Sequence, residues 1–126
     1  MGEKKLILFI EDDLPTVEVY KTALEHAGFK VETALSGNDG IRKIKAKKPD
    51  LILLDFLLPD INGLEVLKEI RAQKDAKDIP IFILTNYTDE KLGEKGLFLK
   101  NEKYLLKTKH TPRELVEVIK KRLLEK

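Results

Sequence analysis

The chain has 126 residues, 42% of them apolar, enough for one domain with a core of its own. Its 24 basic and 22 acidic residues leave a net charge of +2, which gives no electrostatic case for non-specific nucleic-acid binding. The absence of cysteine excludes disulfides and thiolate metal sites.

LILFI at 6–10 is a continuous apolar run and predicts a strand, β1. The run follows two lysines but is too short for a signal-peptide core. No apolar run elsewhere approaches the ~18 residues of a membrane span. A cytoplasmic location is therefore expected. Val17, Tyr20, Leu24 and Ala27 recur at helical spacing and predict α1 over 17–27. FKVETA at 29–34 alternates rather than runs, as an edge strand does, and is β2. Ile41 and Ile44 mark a short helix, α2, and LILL at 51–54 is β3. Leu64, Leu67 and Ile70 mark α3 over 64–70, and IPIFIL at 79–84 is β4. Residues 89–100 carry the weakest helical pattern, α4, because Gly93 and Gly96 each cost about 1 kcal/mol inside a helix. YLL at 104–106 is β5, and Leu115, Ile119 and Leu123 mark α5. Gly28, Gly37, Gly40 and Gly63 fall near element ends.

Five strand–helix alternations imply an α/β fold, a doubly wound five-stranded parallel sheet with helices on both faces. Continuous apolar runs belong to central strands and alternation to an edge. The strand order 2-1-3-4-5 satisfies both. No repeat, linker or low-complexity tract divides the chain, so residues 1–126 are expected to form a single domain. In such a sheet ligands bind beyond the strand C-termini, at the switch point between β1 and β3.

Acids stand at that point. Glu11, Asp12 and Asp13 follow β1, and Asp55 follows β3. Up to four carboxylates could converge in one cleft, where their like charges would repel. A hard divalent cation removes the penalty: Mg2+, or Mn2+, takes a few carboxylates, keeps waters and accepts phosphate oxygens. Thr85 at the end of β4 and Lys107 at the end of β5 bring a hydroxyl and an ammonium to the same sheet edge. Acid, hydroxyl and lysine around a cation suit a phosphoryl group, with Asp55 as a nucleophile forming an aspartyl phosphate. His26, in the α1 pattern, and His110, in a loop, read as structural or solvated.

These residues together resemble the receiver domain of bacterial two-component response regulators, along essentially the whole chain. The carriers are Glu11-Asp12 after β1, Asp55-x-x-Leu58-Pro59-x-x-x-Gly63 after β3, Thr85 after β4 and Lys107 after β5. Each piece is weak alone; in this order, at strand ends, they are specific. The resemblance implies that a sensor histidine kinase or phosphotransfer protein phosphorylates Asp55 with Mg2+ present. It implies cation contacts from Asp12, Asp55 and the Leu57 backbone carbonyl, with Glu11 acting through water. Thr85 and Lys107 would hold the phosphoryl oxygens, and Tyr104 would turn inward when Thr85 moves. The α4–β5–α5 face then changes, and a downstream protein reads it. The chain would be a signalling switch that catalyses its own phosphorylation and dephosphorylation, not a metabolic enzyme. Lys126 falls just after α5, so either a single-domain regulator or a receiver from a longer protein is expected.

Blander readings stand beside these. Asp13 precedes Leu14-Pro15 and reads as the cap of α1. Asp60 and Asn62 read as turn residues before Gly63. The basic residues 120–122 read as a solvated helix face. Thr85 alone would be a β-branched strand end, Lys107 a solvated charge and Tyr104 a half-buried edge residue. Two departures from the family stand out. Thr108 follows Lys107 where the family usually has proline, so a trans Lys107–Thr108 bond and a shifted β5–α5 loop are expected. Asn86 and Tyr87 follow Thr85 where the family has a small residue, and Tyr87 with Leu57 would restrict the attacking water and slow loss of the phosphoryl group. A loosely held α4 would suit a switch surface. Two other classes compete: a flavodoxin-like cofactor binder, against which Glu11-Asp12-Asp13 would repel a flavin phosphate, and a degenerate receiver serving only as a protein-binding scaffold.

Overall fold

The leucine- and isoleucine-rich strands pair as one parallel sheet. A computed structural model describes residues 4–55, 58, 60–61, 63–76, 78–85, 102–106 and 111–124; for residues 64, 75, 85 and 102–106 it describes the backbone alone. The strands are β1 (Leu6–Ile10), β2 (Lys30–Ala34), β3 (Leu51–Asp55), β4 (Ile81–Thr85) and β5 (Glu102–Leu106). Their order is β2-β1-β3-β4-β5, all parallel, as the pattern of runs and alternation predicts. The helices are α1 (Leu14–His26), α2 (Gly37–Ala46), α3 (Gly63–Ala72) and α5 (Pro112–Leu124), with a short 3-10 turn at Lys74–Ala76. The expected α4 lies outside the described residues. No helix among the described residues is long and apolar enough to cross a membrane.

Why the central strands read as unbroken apolar runs is clear from the two layers. Ile7 and Phe9 of β1, Leu51 and Leu53 of β3, and Phe82 and Leu84 of β4 pack with α1 and α5 through Val17, Tyr20, Leu24, Leu115 and Ile119. The alternate residues, Leu8, Ile10, Ile52, Leu54, Ile81 and Ile83, pack with α2 and α3 through Ile41, Ile44, Val66 and Ile70. Both faces are covered, so the period of two is hidden in the sequence. Phe9 meets Tyr20 edge to face, with ring centroids 6.0 Å apart. The edge strand β2 is exposed at Lys30 and Glu32 and buried at Ala34.

Several boundaries move. β3 includes Asp55 instead of ending before it, and β4 begins at Ile81, with Ile79 buried ahead of it. β5 starts two residues earlier than YLL, at Glu102. Phe29 precedes β2 and is buried in the α1–α5 layer. Ala27 is the C-cap of α1, and Gly28 beyond it has a φ of 101°, the left-handed end that favours glycine. Gly40 lies inside α2 rather than at its end. A Cβ there would stand 2.5 Å from Ile10 Cδ1, so the missing side chain lets α2 sit close on β1.

Candidate functional site

Sheet register builds the site. Ile10 pairs with Leu54, so Glu11, one residue past Ile10, stands beside Asp55. Asp55 itself pairs with Leu84 of β4, and Thr85 follows at the end of that strand. The backbone of Glu11 is held on its other side, its N–H donating to Ala34 O at 2.9 Å. Asp12 follows at the same edge.

Glu11, Asp12 and Asp55 each offer a carboxylate oxygen, and these oxygens lie within 4.8 Å of one another. Glu11 is 1% exposed and Asp55 5%, whereas Asp12 is open to solvent. Carboxylates gathered this closely concentrate negative charge that a cation can neutralise. Three hard oxygen donors with one side open match a divalent cation of the Mg2+ type, which keeps several waters and a few carboxylates. The donor set therefore fits the expected ion.

Of the four acids expected near this point, Asp13 goes elsewhere, as its cap reading predicts. Its carboxylate accepts from Thr16 N–H at 3.1 Å and from the Thr16 hydroxyl, so it caps α1, with Pro15 in the first turn. Asp13 N–H donates to Glu11 Oε2 at 3.3 Å, which ties the cap to the cluster. His26 is exposed in the last turn of α1. Lys120 is half-buried, while Lys121 and Arg122 are exposed.

The register of β4 and β5 pairs Thr85 with Leu106, the last residue of β5. Tyr104 pairs with Ile83. Leu57, Lys107, His110, Asn62, Asn86 and Tyr87, the Lys107–Thr108 bond and the side chains of Thr85 and Tyr104 lie outside the described residues.

One acid departs from its sequence reading. Asp60 sits in a bend, as a turn residue should, but its carboxylate reaches another segment. Oδ1 accepts from Gly37 N–H and Oδ2 from Asn38 N–H, each at 2.9 Å. These are the first amides of α2. Slight desolvation pushes the exposed Asp60 carboxyl up, but the N–H donors of Asn38, Gly37 and Ile61 outweigh it and hold the group below the usual carboxylate range. Nothing local in the sequence signals a contact between residues more than twenty positions apart.

Comparison with known proteins agrees with this geometry. The family described as response regulator receiver domain matches residues 7–120. The alkaline phosphatase synthesis transcriptional regulatory protein PhoP of Bacillus subtilis is 38% identical over 111 residues, covering 88% of this chain and 45% of that protein. The chain thus spans about half the length of the curated relatives it matches. A CheY-like receiver domain protein from Methanospirillum hungatei superposes with a TM-score of 0.85 at 30% identity, covering 98% of this chain and 96% of that one. The receiver domain of a Pseudomonas aeruginosa sensor histidine kinase gives the same TM-score at 28% identity, covering 98% of this chain and 100% of its own, and holds a magnesium ion in its active-site cleft. With three carboxylates gathered at the switch point of this sheet, the chain belongs to the response regulator receiver domains of two-component signalling.

Proposed function

We propose that Asp55 is the phosphoacceptor of a switch and that residues 1–126 act as one receiver domain in the cytoplasm. The observation that carries this reading is the meeting of Glu11, Asp12 and Asp55 at the β1–β3 switch point, with Thr85 ending the next strand. In this reading a carboxylate oxygen of Asp55 attacks phosphorus as the phosphorus–nitrogen bond to a kinase or phosphotransfer histidine breaks. The leaving imidazole carries away the bonding pair. Asp12 and Asp55, with the Leu57 carbonyl, would hold Mg2+, and Glu11 would act through water. The ion, when bound, neutralises charge on the entering phosphoryl oxygens. The Mg2+-bound kinase receiver domain supports that assignment by analogy. Thr85 donates a hydrogen bond to a phosphoryl oxygen, and Lys107 supplies a compensating charge.

Phosphorylation adds about −1.5 to −2 charges at Asp55. Thr85 moves toward them, Tyr104 fills the space left, and the α4–β5–α5 face changes for a downstream protein. The chain is a switch that catalyses its own phosphorylation and dephosphorylation. The test is intact mass after incubation with Mg2+ and acetyl phosphate. One added phosphoryl group, lost with Asp55→Ala and on chelation, is expected. No gain, or a gain that survives Asp55→Ala, would favour a protein-binding scaffold.

A further inference from the structure

The β3–α3 loop, residues 56–62, begins at the proposed phosphoacceptor and carries the Leu57 carbonyl that the reading above assigns to the cation. What holds such a loop bears on the affinity of the cation, because groups that support a metal's ligands tune its binding. Asp60 fastens it. The two oxygens of its carboxylate take the N–H groups of Gly37 and Asn38, one each, at 2.9 Å. Ser36 Oγ takes the next donor, Asp39 N–H, at 3.1 Å. Three of the four orphan amides that open α2 are thus satisfied, two of them by a side chain from the loop beside the acceptor.

Packing completes the clamp. Ile61 and Leu58, on either side of Asp60, pack against the α2–α3 core layer. A Cβ on Gly37 would stand 2.6 Å from Ile61 Cγ1 and 2.7 Å from Val66 Cγ2. The start of α2 therefore touches the loop so closely that only glycine fits. The carboxylate also meets the positive end of the α2 dipole, which favours its charged form.

We infer that Asp60 is a positioning residue for the cation site, linking the occupancy of that site to the N-terminus of α2. The inference rests on the phosphoacceptor reading. Removal of the clamp weakens Mg2+ binding and leaves the chemistry intact. By reciprocity, bound Mg2+ tightens the clamp and slows exchange of the Gly37 and Asn38 amides.

The experiment measures the rate of phosphorylation by acetyl phosphate against Mg2+ concentration. In Asp60→Ala the half-saturating Mg2+ concentration rises about tenfold, the low end of what supporting residues around a metal contribute, while the rate at saturating Mg2+ stays near wild type. Asp60→Asn, which keeps one acceptor oxygen, falls between the two. Equal effects of Asp60→Asn and Asp60→Ala would assign the change to lost charge and overturn the clamp, as would an unchanged half-saturating concentration in Asp60→Ala. Should the variants fail to fold, amide exchange of the wild-type protein decides: slowing at Gly37 and Asn38 on Mg2+ addition supports the linkage, and no slowing overturns it. Wild-type protein that takes up no phosphoryl group would instead sink the phosphoacceptor reading itself.

Discussion

Five acids crowd the C-terminal edge of the sheet, and they divide into two regions with opposite physics. Glu11, Asp12 and Asp55 stand at strand ends and face one another, two of them almost wholly buried. Asp13 and Asp60 stand at the starts of α1 and α2 and face backbone N–H groups. The helix-start pair is satisfied within the fold, because orphan amides and the helix dipole favour negative charge there. The strand-end trio concentrates like charge that a cation would relieve. Residue type alone does not separate the two groups. Asp12 and Asp13 are adjacent in sequence, and Asp60 follows Asp55, the last residue of β3, by only five positions.

The largest test of the contrast is the response to Mg2+. A ligand that binds only the folded state stabilises it by about 2.7 kcal/mol at a hundredfold excess over its dissociation constant. Wild-type protein should therefore melt higher as Mg2+ is added, by roughly 10 °C at that excess for a domain of this size. Asp12→Ala should lose most of that gain while melting close to wild type without the ion, because Asp12 is exposed. An equal Mg2+ gain in Asp12→Ala and wild type would merge the two regions and remove the cation from the trio.

Asp13→Ala should behave in the opposite way. Loss of an N-cap costs about 1 kcal/mol, so the variant melts lower by a few degrees with or without Mg2+. Its Mg2+ increment should match wild type. A smaller increment in Asp13→Ala would bring the Asp13 carboxylate into the cation site and blur the boundary between the regions, since the Asp13 N–H that donates to Glu11 is kept in the variant.

The sequence shows the first region far better than the second, for a physical reason. Strands covered on both faces must be apolar throughout, so LILFI and LILL announce their own ends, and the acids after them fall at the switch point by topology alone. The approximate edges also have a cause. Asp55 keeps its ladder pairing with Leu84, so β3 runs one residue past its apolar stretch. Helix starts are legible only when the cap is local, as at Asp13, three residues before Thr16. Thr111 and Glu114 cap α5 reciprocally, each accepting the other's N–H at 3.2 Å; this Thr-x-x-Glu start is as local as the Asp13 cap and legible in the sequence, though not through the apolar pattern of α5. Asp60 was readable as a turn former and no more, because its partners come near only once α2 and the β3–α3 loop have packed. Gly37 and Gly40 point the same way: their small size answers Ile61 and Ile10, side chains brought to them by the fold.

The smallest expected effect is the pH dependence that separates Asp60 from a plain turn residue. Its folded carboxyl lies below the ordinary value of 3.8, since the amide donors outweigh slight desolvation. A carboxyl with a depressed folded value binds fewer protons folded than unfolded. Its contribution to stability is therefore full above the unfolded value and fades as pH falls through the folded one. The comparison is wild type against Asp60→Asn in chemical denaturation without Mg2+, from neutral pH to below pH 4. Wild type should be slightly the more stable at neutral pH, by an amount kept small by solvent around this exposed group. The gap should be level down to about pH 4 and close below it, as the wild-type carboxylate takes up its proton and comes to resemble the amide. A gap that widens on acidification would mean that the Asp60 carboxylate is held by repulsion rather than by the amides of α2, and would place it with the strand-end trio.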